Sequence, residues 1–254
     1  LLGSTHYERL RELHIGAGLT TPATATAIVR SRIFRQLTKL SSRDDRGGGR
    51  TLVNELSTLA DPPRLKWLDL AGNRLTAEQL TRLLAAPALA AVEELDLSNN
   101  NLRAPALVAI AEANLPSLRS LHLLHTQPEE AGVRALASSK VLTGLRSLSL
   151  GGNNLPASSA VVLAASPGAS NLRVLDMREN RLGDAGAIAI ANSPHLRNLV
   201  ELDLATNLIE DEGASALADS PNLGGLIYLD LHENVISPVA ASRLKRRFGD
   251  RVFL

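Results

Sequence analysis

The chain has 254 residues, 44% of them apolar but only 2% aromatic, so any core it builds is aliphatic. It contains no cysteine, which excludes a disulfide framework and thiolate metal sites and leads to the expectation of a reducing, cytoplasmic setting. The net charge of +1 hides an asymmetry: Leu65 to Ile236 carries 12 basic against 19 acidic residues, which leaves +8 on the two ends.

The chain begins at Leu1 rather than Met, so further residues upstream are expected, and it shows no signal-peptide pattern. No apolar run approaches the roughly 20 residues that span a bilayer, so no membrane partner is expected. A basic patch can mark a nucleic-acid site. Charge at the ends of an elongated domain reads first as solvated surface, so nucleic acid is not the expected partner.

Residues 1–64 hold two faint copies of a unit that recurs down the chain. "LRELHIGAGL" places Leu13 27 residues before Leu40, which lies in "LTKLSSRDDR". Near 41–50 the sequence "SSRDDRGGGR" predicts a flexible, charged, Gly-rich loop. Residues 65–236 then hold seven regular units anchored at Leu68, Leu95, Leu121, Leu148, Leu175, Leu202 and Leu229, spaced by 27 with one step of 26. They follow L-x-x-L-x-L-x-x-N-x-L, apart from the third, which has Thr126 and Pro128 at the last two places. Alternating apolar residues in "ELDLATN" predict a short strand with one buried face. Apolar and small residues three and four apart in "DEGASALADSP" predict a helix.

Asp184 and Asp211 stand where a carboxylate caps a helix start. Pro167, Pro194 and Pro221 stop helices. Gly132, Gly186 and Gly213 are expected to let helix pack on sheet. An Asn ladder (Asn73, Asn100, Asn153, Asn180, Asn207, Asn234) is expected to bond the backbone of the turn that ends each strand. Residues 237–254 form a capping helix and tail, with Phe248, Val252 and Phe253 covering the last unit. One unit buries about six aliphatic side chains at about 1.5–3 kcal/mol each, while ordering its backbone costs roughly 1–2 kcal/mol per residue. Units therefore stand only when stacked.

These motifs resemble those of leucine-rich-repeat proteins of the ribonuclease-inhibitor-like type, with a helix in every unit. The resemblance is strong over 65–236 and weak over 10–64. The "D-x-G-A…L-A-x-S-P-x-L" helices and the ending "RLKRRFGDRVFL" are similar to those of bacterial repeat proteins, many of which carry a separate N-terminal domain not seen in this sequence. The resemblance implies an α/β fold, a right-handed solenoid or horseshoe with parallel strands on the concave face and helices on the convex face.

No catalytic constellation emerges: there is no Cys nucleophile and no phosphate-binding loop. His122 and His125 could offer two metal ligands, but no third stands near, and their unit also has Thr126 where others have Asn. It is either degenerate or specialised. Neither enzyme activity, a metal, a cofactor nor a small-molecule substrate is expected.

The exposed strand positions carry the functional reading. One column is Asp69, Asp96, His122, Ser149, Asp176, Asp203, Asp230. At about 4.8 Å between strands its carboxylates repel, so losing Asp176 is expected to be neutral or slightly stabilising. Local turn needs explain such a stripe, and Asp is common there in the family; a basic partner is the sharper alternative. A second column runs from Trp67 through Glu94 and Glu201 to Tyr228. Trp67 is either an anchor or packed on the degenerate units before it. A third column adds Leu124, Arg178 and His232. The expected function is a non-catalytic interaction module or scaffold that binds a protein or peptide, possibly basic, on the concave sheet. The alternatives are a regulator of another enzyme, such as a GTPase activator or inhibitor using Arg178 or Arg74, and the sensor half of a larger enzyme.

Overall fold

A computed structural model describes residues 9–16, 21–43 and 48–254. Ten strands form one sheet: β1 (Glu12–Ile15), β2 (Lys39–Ser42), β3 (Trp67–Asp69), β4 (Glu94–Asp96), β5 (Ser120–His122), β6 (Ser147–Ser149), β7 (Val174–Asp176), β8 (Glu201–Asp203), β9 (Tyr228–Asp230) and β10 (Val252–Phe253). They lie side by side in chain order and every pair is parallel. A parallel neighbour requires a crossover. Helices supply it: α1 (Pro22–Arg30), α2 (Gly48–Thr58), α3 (Ala77–Leu84), α4 (Arg103–Glu112), α5 (Glu129–Ala137), α6 (Lys140–Gly144), α7 (Ala157–Ala164), α8 (Gly183–Asn192), α9 (Asp211–Asp219) and α10 (Pro238–Phe248).

The anchor leucines set the register. Leu13 pairs with Leu40, Leu40 with Leu68, and so on through Leu229, which pairs with Val252. From Leu40 to Leu229 these leucines are fully buried in one aliphatic core between sheet and helices. Because strand side chains alternate, the residues on either side of each anchor face away from that core.

Four expectations change. The segment 41–50 is not one loop: Ser41 and Ser42 are buried in β2 and residues 48–50 open α2, while the expectation for 44–47 falls outside the described residues. The tail is more than a lid, because Val252 and Phe253 add a tenth strand.

Asp184 and Asp211 do not cap their own helices. Asp184 Oδ1 accepts the N–H groups of Glu210 at 2.7 Å and Gly213 at 2.9 Å, at the start of the next unit's helix. Asp211 likewise accepts Ser237 N–H at 2.8 Å and Ser237 Oγ–H at 2.7 Å. The caps thus join units. Finally, the helix glycines serve contacts between helices. A Cβ on Gly132 would stand 2.9 Å from Leu107 Cβ in α4, and one on Gly213 would stand 3.0 Å from Ala187 Cβ in α8.

Behind the prolines, buried Ser193 donates to Ala164 O at 2.6 Å, one unit earlier, and accepts His195 N–H at 3.1 Å. Ser166 and Ser220 make equivalent bonds to Ala137 O and Ala191 O.

The turn after each strand is a second junction. Its fifth residue from the strand leucine is the Asn, and the residue before it is left-handed in every regular unit: Gly72, Asn99, His125, Gly152, Glu179, Thr206 and Glu233 all have φ between 53° and 73°. That region is costly for residues other than glycine. The Asn amide holds it. Asn180 Nδ2 donates to Met177 O at 2.8 Å in its own turn and to Leu150 O at 3.1 Å in the preceding one. Its Oδ1 accepts Leu155 N–H at 2.9 Å. Asn100, Asn153, Asn207 and Asn234 bridge neighbouring units in the same way. Asn73 donates to Ser42 O and Ala71 O. In the unit that lacks Asn, buried Thr126 replaces only the local bond, donating to Leu123 O at 2.8 Å.

Candidate partner-binding face

The side of the sheet away from the helices carries the three columns. Trp67, Glu94, Tyr228 and the more exposed Glu201 precede their anchor leucines. Trp67 is half-buried, and its ring lies 5.6 Å from that of His14 in β1, so it does touch the early units. Tyr228 is half-buried, with its ring 5.0 Å from that of Phe253 in β10, beside His232. The Tyr228 hydroxyl donates to Asp230 Oδ2 at 2.8 Å, and this bond raises its pKa to about 12.

The carboxylate column is not a freely exposed stripe. Asp69 is 1% exposed and Asp96 9%, while Asp176, Asp203 and Asp230 are half-buried. In all five, Oδ1 accepts the backbone N–H two residues on: Ala71 at 3.1 Å, Ser98 at 2.9 Å, Arg178 at 3.1 Å, Ala205 at 3.1 Å and His232 at 2.9 Å. This Asx turn starts the left-handed corner. The second oxygen of two of them reaches the previous strand, where Ser41 donates to Asp69 at 2.9 Å and Ser149 to Asp176 at 2.8 Å. The local turn explanation therefore accounts for the Asp column.

Two arginines neutralise part of it. Arg178 lies 3.7 Å from Asp176 and 3.4 Å from Asp203. Arg43 bridges Asp69 and Asp96, donating to the latter at 2.9 Å. Sequence reasoning missed Arg43, which sat inside the segment read as a loop. The signal was available: counting three residues on from Leu40 puts Arg43 in the column of Arg178. Arg178 is thus shared between two carboxylates of the face.

Charge divides the face in two. Around Arg43 two carboxylates, Asp69 and Asp96, share one guanidinium. Further on, Asp176, Glu201, Asp203 and Asp230 stand against Arg178. Burial raises the pKa of Asp203, and the Asp176 and Asp230 charges add to the rise. Burial acts the same way on Asp230, but bonds from His232 and Tyr228 outweigh it and lower its pKa. Between the halves lies a depression of about 320 Å³ lined by Arg43, His122, Leu124, Ser149 and Arg178 among others. His122 sits 3.0 Å from Ser120 Oγ and 3.4 Å from Glu94. His125 instead turns to Gly152 O at 2.8 Å, where a Cβ on Gly152 would collide with its ring. Among the described residues no group of three or more His, Asp or Glu side chains is placed to hold a metal ion, and no helix is long and apolar enough to cross a membrane.

Residues 92–111, 168–191 and 195–218 each match the family model described as Leucine Rich repeat. The chain is a leucine-rich-repeat protein. Among solved structures, this leucine-rich-repeat protein is similar to a chain of the Rad7 and Elc1 complex in yeast, with a TM-score of 0.56 and 17% identity over 96% of this chain and 71% of that one. A protein from Bacteroides fragilis matches with a TM-score of 0.48 and 14% identity over 91% of this chain and 69% of that one. No curated protein matches the sequence. At 17% identity the yeast structure speaks for the fold alone.

Proposed function

We propose that this leucine-rich-repeat protein is a non-catalytic protein-binding module that works through the open face of its sheet. Repeats of this family generally mediate protein–protein interaction, and the yeast neighbour was solved as a complex. The observation that carries the reading is the continuity of the face. Seven regularly registered strands present half-exposed side chains from Trp67 to Tyr228 over a backbone clamped by Asn and Asp bonds between units. A surface held this way loses little conformational freedom when a partner binds.

The excess of carboxylates from Asp176 to Asp230 favours a basic patch on the partner and speeds association at low salt. Trp67 and Tyr228, each braced by a ring from a neighbouring strand, are the proposed anchors.

The test is affinity capture from the native host's lysate with wild-type protein and two charge reversals. Glu201→Lys changes an exposed face residue outside the Asx turns. Glu212→Lys changes the helix side. The proposal expects a captured protein to be lost with Glu201→Lys and kept with Glu212→Lys. Loss with both, or with Glu212→Lys alone, rules out the sheet face.

A further inference from the structure

A second surface lies along the edge where the chain enters the strands. The position two residues before each anchor leucine reads Lys66, Glu93, Arg119, Arg146, Arg173, Val200, Ile227. Backbone bonds join the members directly. Arg146 N–H donates to Arg119 O at 2.7 Å, Arg173 to Arg146 O at 2.8 Å, Val200 to Arg173 O at 2.8 Å and Ile227 to Val200 O at 2.8 Å. Three guanidinium side chains thus rise from adjacent rungs, followed by two apolar side chains.

All three arginines are exposed and border a groove of about 600 Å³, with Lys140 as a fourth cation and Asn171 and Asn198 at its rim. The segments that lead into the strands, 113–119, 138–147, 165–174 and 192–200, hold no Asp or Glu. The Arg119 guanidinium is held on backbone carbonyls, Leu118 O at 2.7 Å among them. Those of Arg146 and Arg173 have no hydrogen-bond or ion-pair partner among the described residues. The nearest acid in the column, Glu93, is bound to Lys66 at 2.9 Å. Adjacent like charges without counter-charges repel, and folding gives no reason for them; an anionic ligand would.

We propose that this edge docks a short acidic segment of a protein partner, a run of carboxylates followed by an apolar side chain. Two rungs of about 4.8 Å separate the first and third arginines, which matches roughly three residues of extended peptide at about 3.3 Å each. Guanidinium groups recognise carboxylates by paired, charge-assisted hydrogen bonds. Beyond the cations, Val200 and Ile227, the latter 61% exposed, offer an apolar landing for the next side chain. Nucleic acid fits less well, because the run of cations stops after three rungs and no aromatic ring lines the groove for base stacking. The proposal shares with the preceding one only the premise that the partner is a protein. It concerns a different surface, and its probe is synthetic, so its failure would leave the sheet-face reading standing.

The experiment is fluorescence anisotropy with a labelled peptide of consecutive glutamates followed by leucine. It uses wild type, Arg146→Glu with Arg173→Glu, Ile227→Ser, and Lys245→Glu with Arg246→Glu as a control of equal charge change on α10. Thermal melts check folding, and Arg146→Gln with Arg173→Gln replaces the reversal if that variant does not fold. Wild type should bind, more weakly as salt rises. The ladder variant should lose about tenfold or more, Ile227→Ser should lose part of the affinity, and the α10 control should lose little. No binding by wild type, equal loss in ladder and control, or tighter binding of a single-stranded oligonucleotide of equal charge each overturns the proposal.

Discussion

Asn180→Ala removes the central clamp, and the structure says which groups are left without partners. The carbonyls of Leu150 and Met177 each keep a second donor, Asn153 Nδ2 at 2.9 Å and Asn207 Nδ2 at 2.9 Å. The N–H groups of Asn153 and Leu155 do not. Both donate to Asn180 Oδ1, at 3.2 and 2.9 Å, inside a buried turn. Two unsatisfied buried donors at about 1–3 kcal/mol each predict a loss of about 2–6 kcal/mol.

Asn234 makes the same kind of bonds in the last regular turn, where it is partly open to water. Water can replace them there, so Asn234→Ala should cost clearly less. Urea denaturation of both variants, read at constant m, decides the matter. A loss below about 0.5 kcal/mol for Asn180→Ala, within the range of ordinary surface substitutions, or a greater loss for Asn234→Ala, would refute the reasoning.

Other substitutions separate the remaining forces. Leu175→Ala, at a fully buried anchor, should cost about 2–5 kcal/mol in the same melts. Asp184→Ala should cost about 0.5–2 kcal/mol and should expose the α9 amides to hydrogen exchange rather than those of α8, because Asp184 caps the following helix. Asp176→Ala should destabilise by about 1–2 kcal/mol, since it loses the Arg178 N–H and Ser149 bonds; a neutral or stabilising result would show that carboxylate repulsion wins after all. Asp203 has a raised folded-state pKa, so its ionisation costs stability as pH rises through that value. Asp203→Asn should therefore raise Tm at neutral pH, with the gain fading once the pH falls below the unfolded carboxyl range.

The fold was legible because its signal is repetition. One leucine per unit set strand, register and core, and the faint Leu13 and Leu40 fell into the same register as the rest. What the sequence hid were bonds between units. A pattern read one unit at a time assigns Asp184 to its own helix, whereas stacking carries it to the next one; for Asp176 the local turn role was readable in the sequence, while the Ser149 bond from the previous strand was not. Arg43 was hidden for a related reason: a local reading of "SSRDDR" as loop outweighed its place in the Arg178 column. The entry-edge arginines were visible in the repeat, but their shared groove became apparent only once the strands were side by side.

Hydroxyl-radical footprinting of the protein, free and bound to a captured partner, tests the sheet-face claim most directly. Trp67, Tyr228 and His232 report on the face, and Val239, 75% exposed on α10, reports on the helix side. The account predicts that the three face residues lose reactivity in the complex while Val239 keeps it. Protection of Val239 with Trp67, Tyr228 and His232 unchanged would contradict it.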